Sequence, residues 1–123
     1  MSEASASGRV PGEDHVLFIV ILDRPQLLDD ILTGYLDLGV RGATILESQG
    51  MGAIVRQDMP IFAGLAGLFP ENTGSRTLLS VMPERLVDDV FRMVEEVVGN
   101  LDKPNSAVCF TVPVGRFRGI RRS

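Results

Sequence analysis

A chain of 123 residues and 13.4 kDa holds one hydrophobic core, because folding at this size removes roughly two thirds of the extended-chain surface from water. Its 45% apolar and 23% charged content excludes a disordered polymer, and a formal charge of -4 argues against nucleic acid as a partner, since phosphate neutralisation needs a broad basic face. The single cysteine, Cys109, and single histidine, His15, exclude an intrachain disulfide framework, a zinc cluster and a redox cysteine pair.

Residues 1–14 are small and polar, with no apolar stretch of the kind a signal sequence carries, and are expected to form a flexible leader to one domain over 15–123. The run 16–22, Val-Leu-Phe-Ile-Val-Ile-Leu, is apolar at every position and rich in branched side chains, which predicts a buried central strand. Its seven residues fall far short of the roughly twenty that span a bilayer, so a cytoplasmic protein is expected. From Gln26 the period changes. Leu27, Leu28, Ile31, Leu32, Tyr35 and Leu36 return every three or four positions with Asp29, Asp30 and Asp37 between them, predicting a helix opened by Pro25 and stopped near Gly39. A second strand is expected over 43–48.

The second half repeats this grammar. A strand over 77–81 leads to Pro83, which is expected to open a helix whose stripe is Leu86, Val87, Val90, Phe91, Val94, Val97 and Val98, stopped by Gly99. Leu27-Leu28-Asp29-Asp30-Ile31 is answered position by position by Leu86-Val87-Asp88-Asp89-Val90. A last strand over 107–114 follows a turn-rich segment. The order strand, helix, strand, strand, helix, strand predicts an α+β, ferredoxin-like βαββαβ sandwich: a four-stranded antiparallel sheet with both helices on one face and a long loop between strands 2 and 3. Because 16–22 is apolar at both parities, the face away from the helices is greasy too, and other copies of the chain are the simplest cover for it.

The connection 49–75 spends 27 residues where a hairpin needs two to five. It begins Gly50-Met51-Gly52, which reads either as a pair of permissive backbones offering amides to an anion or as a plain hinge. Further on, 59–69 carries no charge, so Ile61, Phe62, Leu65, Leu68 and Phe69 are expected to be buried by the assembly itself, by a protein partner or by a lipid surface. His15 reads as a surface or strand-end residue rather than a metal ligand, the aspartate pairs and Glu95-Glu96 as solvated helix faces, and Cys109 as a small core hydrophobe. No nucleophile–base set is evident, so the chain is read as no enzyme.

The stretch Gly39-Val40-Arg41-Gly42-Ala43-Thr44-Ile45-Leu46-Glu47-Ser48-Gln49-Gly50-Met51-Gly52, with its G-x-x-G-x-T-x-x-E-x-x-G-x-G spacing, resembles the PII nitrogen-regulatory signalling superfamily, as do the helix repeat and the tail from Cys109 to Arg121. The resemblance implies a homotrimer that binds ATP, ADP or AMP between subunits and regulates a transporter, channel or enzyme through the long loop, the family's T-loop, with recruitment to the membrane through such a partner. It implies roles for Thr44 beside the adenine, for Gly50, Met51 and Gly52 at the loop entrance near the phosphates, for Gly99 and Lys103 in the loop after the second helix, and for Arg121 reaching in from a neighbouring subunit. Ala53 and Gly119 depart from the family pattern and remove two expected polar contacts. The only tyrosine, Tyr35, is not in the loop, which argues against uridylylation. The alternatives are a PII-like structural adaptor without nucleotide sensing, and a CutA-like trimeric metal-response protein.

Overall fold

Along 16–22 the side chains alternate between buried and partly buried, the two-residue period of a strand with one face against the core. The computed structural model, which describes residues 14–52, 54, 74–103 and 107–119, orders the elements as β1 (His15–Leu22), α1 (Leu28–Asp37), β2 (Thr44–Ser48), β3 (Ser75–Pro83), α2 (Val87–Val98) and β4 (Ala107–Val114). The sheet runs β2-β3-β1-β4 with every neighbouring pair antiparallel, so the expected ferredoxin-like arrangement is the one observed. Among the described residues no helix is long and apolar enough to cross a membrane.

The repeat seen in the sequence is kept in three dimensions. Each helix is led by a single 3-10 turn, Pro25–Leu27 or Glu84–Leu86, and the α-helices start at the paired positions Leu28 and Val87. Pro83 does not open a helix as expected. It is the last residue of β3, with extended backbone at φ -63° and ψ 144°, and its missing N–H is tolerated at a strand terminus. α1 ends in a Schellman motif: the Val40 amide donates to Tyr35 O at 2.8 Å and the Gly39 amide to Leu36 O at 3.1 Å, with Gly39 at φ +88°. Buried Val40 and Tyr35 meet under it, which is the apolar contact that usually accompanies this cap.

Val16, Phe18, Val20 and Leu22 of β1 and Leu78 and Met82 of β3 meet Ile31 and Tyr35 of α1 and Val90 and Val94 of α2 in the core. The Phe18 and Phe91 rings pack tilted with centroids 4.8 Å apart. The helices approach so closely that a Cβ on Gly34 would overlap the Met93 side chain. Ser80, the one buried hydroxyl on this face of β3, donates to Gly42 O and ties the α1–β2 linker down.

Among the described residues no helix lies over the opposite face. Register places Leu17, Ile19 and Ile21 of β1 there, beside Leu79 and Val81 of β3 and Val108, Phe110 and Val112 of β4, with Leu46 on the β2 edge. β1 was expected to be buried on both sides; among the described residues of one protomer only the helix side is covered, and Leu46, Val108, Phe110 and Val112 are each 39–55% exposed.

Candidate functional site

Strand polarity decides which loops share an end of the molecule. Leu22 closing β1 pairs with Arg76 near the start of β3 and with Ala107 at the start of β4, while Ser48 closing β2 pairs with Ser75. The segment that leaves β2 at Gly50 and the loop between α2 and β4 therefore emerge at the same end of the sheet. They do so from opposite edges, because β2 and β4 are the outermost strands, three interstrand spacings or about 14 Å apart. One protomer holds these two candidate segments apart and does not bring them together.

The half beside β4 begins where α2 closes. α2 ends with the Gly99 amide donating to Glu95 O at 2.8 Å, and Gly99 itself sits at φ +99° and ψ -157°, a region closed to other residues. Asn100 Oδ1 then accepts the Asp102 amide at 2.9 Å, an Asx turn, and Asn100 O accepts the Lys103 amide at 3.2 Å. The result presents exposed backbone and the Lys103 ammonium at the sheet end, a suitable group for an oxyanion. No basic residue lies in the last turn of α2, although the helix dipole favours one there. The cation comes from Arg24, just beyond β1, whose Nη2 donates to Val98 O. Sequence reading passed over Arg24; the pair Glu95-Glu96 at a helix C-terminus with no base beside it was the available signal.

In the half beside β2, Met51, Gly52 and Ile54 take helical backbone, with the Ile54 amide 3.4 Å from Gly50 O. Gly50 does not use the positive φ that two permissive glycines suggested; among the described residues Gly39, Gly99 and Gly119 do. Nor would a Cβ on Gly50 meet anything within 4 Å. Met51 is 69% exposed. Below this turn the Ser48 hydroxyl lies 2.7 Å from Ser75 Oγ and 2.8 Å from Thr77 Oγ1, a polar clasp that sequence reading also missed, because it exists only once β2 and β3 are in register.

Thr44 stands away from both halves. It begins β2 on the uncovered face, across from Leu79, about 13 Å along the strand from Ser48. The tail leaves β4 at the far end of the sheet, where Val114 pairs with His15 and the Phe117 ring packs 4.7 Å from the imidazole. His15 is thus at a strand end, as one of the two expected readings had it, and is buried there rather than at the surface. Ile61, Phe62, Leu65, Leu68, Phe69 and Arg121 lie outside the described residues.

Titration adds little reactive chemistry. Burial, with Glu95 adding to it, pushes the Cys109 thiol up to about 11, which leaves too little thiolate for a nucleophile. Burial also raises the Tyr35 phenol, and raises the Asp23 carboxyl above its ordinary range. Among the described residues no three His, Cys, Asp or Glu side chains gather as a metal site would require.

No family model and no curated protein matches the sequence. Among solved structures, that of Arabidopsis thaliana PII bound to citrate superposes with a TM-score of 0.60 at 18% identity, over 88% of this chain and 84% of that one. The chain has the PII fold. That likeness, at this identity, is one of architecture, and leaves the ligand to be argued from the residues.

Proposed function

We propose that the protein is a non-catalytic, PII-like signalling trimer that binds a small anionic metabolite between subunits, an adenine nucleotide foremost, and regulates a protein partner through 50–74. The observation that carries this reading is the placement of two ligand-suited loops at one end but on opposite edges of a sheet whose uncovered face is apolar. Exposed apolar area of this kind marks an interaction surface, and closed rings of identical chains are its common use. Ring closure would set residues 50–52 of one copy against 99–103 of the next, with glycine amides and the Lys103 ammonium facing the same anion. The tail, which departs from the far end of its own sheet, would deliver Arg121 to a neighbour's site, and Thr44 on the uncovered face would sit at a subunit boundary beside the base. Ligand binding would favour one arrangement of the loop and so expose or hide Ile61, Phe62, Leu65, Leu68 and Phe69 from a transporter or enzyme; the switch needs unequal affinity for the two arrangements.

Calorimetric titration of the intact protein with ATP, ADP, AMP, a cyclic nucleotide and citrate, alongside its mass in solution, tests the reading. Heat with a nucleotide and a mass three times that of the chain are expected; a monomer, or no heat and no thermal stabilisation with any of the five, overturns it. A second reading, a trimeric adaptor that senses nothing, is favoured by Gly119. It stands where a tail arginine is expected and holds φ +91°, a backbone that glycine adopts and an arginine rarely does. Identical proteolytic cleavage of the loop with and without each nucleotide supports the adaptor.

A further inference from the structure

Arg24 is separated from Val98 by 74 positions yet donates to its carbonyl, the last of α2, immediately before the left-handed Gly99. Its Nε, on the same edge of the guanidinium as Nη2, is buried and has no hydrogen-bond partner among the described residues. A plain surface cap for the helix dipole has no reason to bury part of its guanidinium in this way, since an exposed lysine in the last turn would do. A planar fork held from one side does something more: it fixes the direction of the Val98 carbonyl, and with it the peptide plane from which Gly99 departs. The Gly99 amide, in that same peptide plane, donates to Glu95 O, and two further hydrogen bonds follow the departure, those of the Asp102 and Lys103 amides.

We propose that Arg24 is the positioning residue of the α2–β4 loop, holding 99–103 in the shape that receives an oxyanion and coupling that loop to the β1–α1 junction. The proposal rests on the ligand reading above for what the loop binds, but not for how the loop is held. Arg24 acts through the loop and touches no ligand itself.

The test compares wild type, Arg24→Met and Arg24→Lys as full chains, by amide hydrogen exchange and by titration with ATP at a temperature where each is folded. Loss of a charge-assisted bond is expected to speed exchange at Gly99, Asp102 and Lys103 in Arg24→Met by about tenfold or more relative to Val94 in the middle of α2, with Arg24→Lys in between. ATP affinity is expected to fall by about tenfold in Arg24→Met. Unchanged exchange at the three amides, or equal acceleration throughout α2, overturns the proposal and makes Arg24 a general stabiliser. So does a loosened loop that still binds ATP as wild type does. Should Arg24→Met not fold, the same comparison is decided on Arg24→Lys. If wild type binds no ATP, the ligand reading fails and the exchange data still judge Arg24.

Discussion

Tyr35 is almost wholly buried, and its hydroxyl finds no partner among the described residues. A buried unanswered hydroxyl costs free energy that a phenyl ring does not, so Tyr35→Phe is expected to stabilise the fold by about 1 kcal/mol in urea denaturation. Glycines 99 and 50 separate conformation from recognition. Gly99 holds a backbone closed to other residues, and Gly99→Ala is expected to cost about 1–3 kcal/mol. Gly50 has neither that backbone nor a neighbour in the way, so Gly50→Ala should move stability by less than about 0.5 kcal/mol while weakening anion binding through closer packing at the loop entrance. Asp23 supplies a pH signature. Its folded pKa is raised by burial, so the native state binds that proton more tightly than the unfolded chain does. The stability this brings is full below the ordinary aspartate range and is lost as pH rises through the raised value. Asp23→Asn should therefore gain on wild type as pH rises toward neutrality and lose the advantage under acid; a constant difference across that window would contradict it.

At the scale of elements, the internal repeat carries most of what could be read in advance. Period and punctuation announced both helices and all four strands, since Leu28 and Val87 start equivalent helices and Gly39 and Gly99 end them. Pro83 misled because the same fixed φ suits the close of a strand and the first turn of a helix. The Arg24–Val98 bond and the Ser48 clasp were out of reach, for each joins side chains whose proximity exists only after register and helix docking are set. Parity in β1 did foretell the greasy second face, and that face gives an element-level prediction. Phe110→Glu places a charge among Val108, Val112 and Ile19 on the uncovered side, away from the core. It should leave the circular dichroism spectrum and the melting of the isolated fold little changed while reducing the mass in solution to that of one chain; an unaltered assembly would locate the contact elsewhere.

For the molecule as a whole, the resemblance read from residues 39–52 and the architecture agree, while the individual site residues divide. Gly99 and Lys103 fall in one loop, residues 50–52 on the other edge, and Thr44 on the open face, a dispersal that sequence spacing along one chain had no means to display. The division between edges has a genetic consequence. Take two alleles, one impaired at Gly50 and one at Lys103, neither of which binds ligand alone. Produced together, they should form mixed rings in which some junctions pair an intact first half with an intact second half, and binding should return to a fraction of the wild-type level. Two lesions on the same edge should never rescue one another.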